Sequence, residues 1–398
     1  MNRKYILGRI LLVIILVAGL LLWPRSTKKE NVTNEEAKYY HESMLGFATE
    51  KGFYHTDSRE FLCFYDFSAQ KDVYVCNRPN CKHDSTNSGN NSDTTRCNAD
   101  LGWTMNTGFT INDRLYLIQV DPIEHLAVIT QSDLDRSNQK KIVEFESDYI
   151  ESFVEKDGVL YLAASSYIME KDEDGMEAPS GEAETWLYGV DLSIGESKEL
   201  TPRIKANNAS LAIVGVDGNS LYCKNTYFKN PYDGSNFEEA QEQLKWYSFN
   251  MDTEKYEEIF SGFSGAGNAN ISNGKLCGYE GIEWQDGEFG QYNVLLLDLK
   301  TSKSNLVASS QEEPQFAKGK VFFKNEEEGK TQYYIYDVVD GEQRTIPGSR
   351  VNDFIVSQEA GEYFYGFKID SQTQESTMCL ISKTDFFEGE AKYISLKW

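Results

Sequence analysis

From residue 46 onward the chain alternates between polar turn pairs and short runs rich in aromatic and β-branched residues. Lys156-Asp157-Gly158 opens into Val159-Leu160-Tyr161-Leu162, and a second run, Trp186-Leu187-Tyr188-Gly189-Val190, ends on Asp191. Turn pairs of this kind supply the positive φ of tight hairpins. They recur at Lys51-Gly52, Asn112-Asp113, Asp217-Gly218, Asn273-Gly274, Lys318-Gly319 and Ala360-Gly361. A strand-like run follows each pair, for example Leu115-Tyr116-Leu117, Val321-Phe322-Phe323 and Tyr363-Phe364-Tyr365. A second run ending in Asp or Asn comes next in most copies, as in Tyr247-Ser248-Phe249-Asn250, Leu295-Leu296-Leu297-Asp298 and Tyr334-Ile335-Tyr336-Asp337.

Spacings of about 40 to 60 residues between the pairs match the period of four-stranded propeller blades. One such sheet cannot bury both faces, whereas sheets stacked radially cover one another. The pattern predicts an all-β chain, a single seven-bladed β-propeller of four-stranded blades over residues 43–398. Three hairpins are swollen. The stretch 170–184 is acidic and predicts a solvated loop. The stretch 228–245 predicts one or two helical turns, and 281–290 a further loop.

Ahead of the repeats, residues 5–23 are apolar apart from Arg9 and follow Arg3 and Lys4. At ~1.5 Å per residue this run is about 28 Å long, close to a bilayer's hydrocarbon thickness. The reading is one N-terminal transmembrane helix, an uncleaved signal anchor over 1–29, with a cleaved signal peptide as its rival. Residues 30–42 then form a polar juxtamembrane spacer with a short helix around 35–44. The expected location is the cell membrane, single-pass, with the propeller on the extracytoplasmic side.

Charge narrows the partners. The net charge is −24, and six of the 39 basic residues fall in the first 29 positions, which hold no acid. The body is therefore strongly acidic, which excludes nucleic acid as an expected partner.

One segment carries ligand chemistry. Cys76, Cys81, His83 and Cys97 follow the pattern Cys-x4-Cys-x-His-x13-Cys within the loop 76–100. Thiolates and a neutral imidazole suit a tetrahedral zinc shell. A disulfide with one thiol left over is the competing reading for an extracytoplasmic chain. With four protein ligands a metal would be structural. The remaining cysteines (Cys63, Cys223, Cys277, Cys379) sit singly in predicted strands and read as small core hydrophobes. Trp186 and Trp246 also read as core. Trp103, Trp284 and Tyr232 lie in loops and are the candidate ligand-binding side chains.

The Cys-Asn-x-Pro-x-Cys-x-His-Asp segment with a following Cys-Asn-Ala, behind a membrane tether, resembles uncharacterised membrane-anchored cell-surface propeller proteins of Gram-positive anaerobes. The inserted stretch 85–96 lengthens the loop relative to that group. The repeat phrases are similar to propellers of the low-density-lipoprotein-receptor and TolB kind. Neither resemblance implies an activity. No nucleophile elbow or phosphate-binding glycine pattern occurs. The expected function is a binding or scaffold module for a protein, peptide or envelope glycan. The alternative is an extracytoplasmic hydrolase or lyase acting on carbohydrate or peptide through carboxylates lining the channel.

Overall fold

The computed structural model describes residues 38–41, 46–83, 97–102, 105–121, 123–171, 176–232, 237–261, 270–272, 274–283, 289–317, 319–327, 330–346, 351–370, 372–373 and 375–397. The anchor at 1–29, most of the spacer, Trp103 and Trp284 lie outside them. No helix among the described residues is long and apolar enough to cross a membrane.

The chain is nearly all β. Among the described residues five sheets have four strands each, in simple antiparallel order, and span 46–74, 105–146, 270–310, 315–346 and 354–395. A nine-stranded sheet lies between the second and third of these. It holds two further up-and-down runs, 149–199 and 204–261, joined by pairing of Glu182–Thr185 with Ile204–Asn207. The swollen hairpin causes this fusion. The predicted acidic loop at 170–184 is instead largely strand, Val159–Lys171 paired with Glu177–Asp191, and its length carries it to the next run.

The turn pairs do what their residues dictate. Asp157 and Gly158 have φ of 54° and 80°, and Asn112 and Asp113 have 48° and 57°. These left-handed pairs match the twist of the strands they join. The Asp and Asn residues ending alternate runs have an equally local role. Asp66, Asp191, Asn250, Asp298 and Asp337 each accept, on one side-chain oxygen, the backbone N–H groups two and three residues ahead. This closes the turn into the fourth strand.

Consecutive sheets pack face to face, since near-continuous apolar runs such as Val321-Phe322-Phe323 make both faces apolar. Leu115 and Leu117 of the second sheet share a cluster with Phe47 and Tyr54 of the first. Phe109 and Ile129 pack with Phe153, Leu162 and Trp186 of the run that follows. Ala212 and Trp246 pack with Ile271 and Leu276, Cys277 and Tyr279 with Phe316 and Phe323, and Phe322 and Tyr333 with Phe354 and Phe364. Tyr365 and Met378 of the last sheet then return to Phe53 and Tyr65 of the first. This serial stacking, closing on itself, is the packing of a β-propeller. Trp186 and Trp246 are core, as expected, and so are Cys63, Cys223, Cys277 and Cys379.

One further segment departs from expectation. Lys38–His41, assigned from sequence to a spacer with a short helix, is a strand paired with Tyr149–Lys156. An unpaired sheet edge offers backbone partners that outweigh an isolated helical turn. At the other end Tyr393–Ser395 completes the last sheet. The helical turn expected in the 228–245 hairpin is present at Phe237–Ala240.

Candidate metal centre

The connector from the first to the second sheet folds back on the first. Phe61 bridges to Asp100, and Leu62 N–H donates to Ala99 O at 2.7 Å. That return brings Cys97 beside Cys76, which follows the strand Lys71–Tyr74. A tight turn carries Cys81 back toward them, with Cys81 N–H donating to Arg78 O at 3.3 Å. Asn80 and His83 adopt positive φ of 59° and 50°, which turns the ring of His83 inward.

The result is one cluster. The Sγ atoms of Cys76, Cys81 and Cys97 and a ring nitrogen of His83 all lie within 4.8 Å of one another. His83 Nδ1 is 3.3 Å from Cys97 Sγ. Around a zinc ion with ~2.3 Å zinc–sulfur bonds, neighbouring ligand atoms stand about 3.5–3.8 Å apart, so the donor set fits with small adjustment. No disulfide joins these cysteines. All four residues foreseen as ligands are brought together.

The surroundings favour thiolate at Cys76 and oppose it at Cys97. Burial is the largest influence on Cys76 and opposes ionisation. Backbone N–H groups of Arg78 and Asn98, with the neighbouring thiols, outweigh it and hold Cys76 below the ordinary thiol value. Cys97 moves the other way, pushed up to about 12 by burial, against the help of the Ala99 N–H, because its sulfur faces two more. Three close sulfurs cannot all ionise without a cation between them, which is the electrostatic condition a bound metal meets.

The outer contacts hold the histidine. Its ring stacks on Tyr74 at 4.4 Å, and its carbonyl accepts from Arg59 Nη1 at 3.0 Å. Arg59 is tied to the buried Asp57 carboxylate and to Tyr74 Oη at 2.6 Å. Phe61, Ala99 and Cys97 form the small apolar cluster beneath.

Tyr232 is not part of this cluster. It stacks on Phe228 at 4.5 Å in the 228–242 hairpin. A second group was not foreseen. His55, Cys63 and Asp72 lie on three adjacent strands of the first sheet, with their ligand atoms within 4.8 Å of one another. From sequence Cys63 reads only as a core thiol, and His55 carries no spacing signal of its own. The signal that unites them is the hairpin register, which sets His55 directly opposite Cys63.

No protein-family model matches this chain, and no curated protein matches it. Several solved structures do. The β-propeller domain of the Trilobed protease from Pyrococcus furiosus is 13% identical, and the match covers 86% of this chain and 95% of that one at a TM-score of 0.47. An acylaminoacyl peptidase from Pyrococcus horikoshii is 14% identical over 87% of this chain and 49% of that one, also at 0.47. An oligogalacturonate lyase in complex with manganese is 10% identical over 81% and 82%, at 0.42.

Proposed function

We propose that this chain is a seven-bladed propeller, the nine-stranded sheet counting as two blades, and that it is a binding or scaffold module tethered at the outer face of a cell membrane. The observation that carries the reading is an asymmetry between the two ends of the sheets. In up-and-down sheets the first-to-second and third-to-fourth turns share one end, and here they are short, such as Asp157-Gly158 and the Asp-closed turns. The opposite end bears the second-to-third hairpins and the inter-sheet connectors. These include the extended 159–191 hairpin, the 228–242 hairpin with Phe237–Ala240, and the connector 75–104 with its Cys/His cluster.

Long loops on a rigid scaffold are where recognition concentrates. The metal would staple the longest connector, which has little apolar surface of its own. Zinc with three thiolates and one imidazole is saturated, so it would shape the binding end and perform no chemistry. A protein, peptide or envelope glycan is the expected ligand class. Tyr232 is the described residue best placed to stack against one, with Tyr167 and Met176 exposed on the neighbouring hairpin.

A second reading, an extracytoplasmic hydrolase or lyase on carbohydrate or peptide, is favoured by one observation. Burial holds the Lys224 ammonium below its ordinary value and raises the Glu242 carboxyl, and the two groups feel one another. Perturbed acid–base groups mark catalytic sites more often than chance. One experiment separates the readings. The purified protein is assayed for metal content, for retention on envelope extracts, and for turnover of oligogalacturonate and peptide panels. The binding reading expects a tightly held zinc at the Cys/His cluster that Cys97→Ser loses, retention on a defined envelope component, and no turnover. Turnover abolished by Glu242→Gln would overturn it in favour of the enzyme.

A further inference from the structure

His55 is fully buried, and both of its ring nitrogens are engaged. Nδ1 lies 3.2 Å from the carbonyl oxygen of Thr56. A carbonyl only accepts, so Nδ1 carries a hydrogen. Nε2 lies 3.0 and 3.1 Å from the two carboxylate oxygens of Asp72. A neutral ring held in that tautomer would point a lone pair at an anion. The arrangement therefore calls for a cation between the two groups, and a proton or a metal ion can fill that place.

Cys63 decides between them. Its sulfur lies within 4.8 Å of ligand atoms of both His55 and Asp72, and among the described residues its hydrogen-bond contact is a long one to Phe61 O at 3.6 Å. A proton on Nε2 would satisfy the imidazole and the carboxylate but leave the thiol only its long contact with the Phe61 carbonyl. A divalent ion uses all three, and the thiolate and carboxylate together neutralise it. Two further contacts have the form of outer supports for such an ion. The Nδ1–H bond to the Thr56 carbonyl fixes the ligating tautomer, and Lys397 N–H donates to Asp72 at 2.8 Å.

We propose that His55, Cys63 and Asp72 form a second metal site, independent of the Cys76/Cys81/His83/Cys97 cluster, taking a borderline divalent cation such as zinc. It lies on the face of the first sheet turned toward the last sheet, since Phe53 stacks on His55 and also packs on Tyr365. The set of one sulfur, one nitrogen and one oxygen excludes calcium and magnesium, which take oxygen alone.

The test is a Co2+ titration of the metal-stripped full-length protein in detergent, read by thiolate-to-cobalt absorption and by elemental analysis. The wild type should saturate at two equivalents. Cys63→Ala, which leaves the His55–Asp72 contact in place, should lose one equivalent and keep the intense band of the three-thiolate centre. Cys97→Ala should lose the intense band and keep a weaker single-thiolate band. Asp72→Asn, matched in shape, should behave as Cys63→Ala does, and near-UV circular dichroism checks that each variant is folded. Unchanged stoichiometry and spectrum in Cys63→Ala would overturn the site and leave a protonated His55–Asp72 ion pair. The outcome does not depend on the first centre. Should that centre take no metal, the wild type would bind one equivalent, lost in Cys63→Ala and kept in Cys97→Ala.

Discussion

Replacing Phe53 by alanine tests whether the first and last sheets are packed as one core. Phe53 is fully buried, its ring 4.4 Å from that of Tyr365, in a cluster with Met378 and Leu380 of the last sheet. Truncating a buried Phe costs about 3–5 kcal/mol, the higher values applying where the surroundings cannot collapse. Here they cannot. The ring packs over the backbone of Gly46, where a Cβ would stand 2.7 Å from the Phe53 ring and 2.2 Å from Tyr54 O. Gly46 has no side chain to move into the space and, at φ 155°, tolerates none. We therefore expect about 4–5 kcal/mol.

The assay is urea unfolding followed by tryptophan fluorescence. With m near 3 kcal/mol/M or above for a chain of this size, the midpoint should fall by about 1–1.5 M. Phe109→Ala is the comparison. Phe109 is equally buried, between the second sheet and the next run, 5.0 Å from Tyr116 and 5.5 Å from Phe153. Both variants should shift one cooperative transition by similar amounts. A loss below about 1 kcal/mol for Phe53→Ala, beside a full loss for Phe109→Ala, would refute closure of the stack.

Other perturbations probe single devices. Asp298→Asn should keep neutral-pH stability, because Asn250 closes the equivalent turn, whereas Asp298→Ala should lose the turn at every pH. The Thr301 backbone N–H, with the Thr301 hydroxyl and Lys300 N–H, holds the Asp298 carboxyl below its ordinary value. Its stabilising contribution is thus present above an unfolded value of about 3.9 and lost as pH falls through the folded one. An acid titration should be shallower for Asp298→Asn than for wild type, and equal curves would count against the turn's role. Arg203 lies 4.0 Å over the Trp186 ring and pairs with Glu184 and Glu199. Arg203→Lys should cost about 0.5–1 kcal/mol in the same urea assay, and no loss would remove the stacking term. Lys324, buried, donates to Glu312 and to Asn352 O at 2.8 Å each. Lys324→Met should cost about 1–2 kcal/mol by leaving that carbonyl without its donor, and a stabilised variant would contradict this.

What could be read from the chain was local. Asp157-Gly158 and Asn112-Asp113 announce their hairpins because few other residues enter the left-handed region. Asp191 and Asp298 mark strand ends because their carboxylates close the next turn. Cys76, Cys81 and His83 lie close enough in sequence to be read as one group, and Cys97 was joined to them by residue type alone. What stayed hidden depends on register or on distant segments. The acids around Glu182 look solvated until the pairing with Asn207 is known. Lys38–His41 looks like spacer because its partner, Ser152–Glu155, lies more than a hundred residues away. His55 and Asp72 become neighbours only once three strands are aligned, and the Lys397 contact spans nearly the whole described chain.

Each four-stranded sheet is made from one continuous span of the chain, and among the described residues no strand pairs across the boundary between the last sheet and the first. Side-chain packing about Phe53 and Tyr365 joins them, with the bonds from Gln358 to Gly46 O and from Lys397 N–H to Asp72. Units built this way are modular in heredity as well as in shape. A gene could gain or drop one as a block without severing a hydrogen-bonded ladder. During synthesis every sheet could be finished in the order it emerges, with a single interface left waiting for the final residues to arrive.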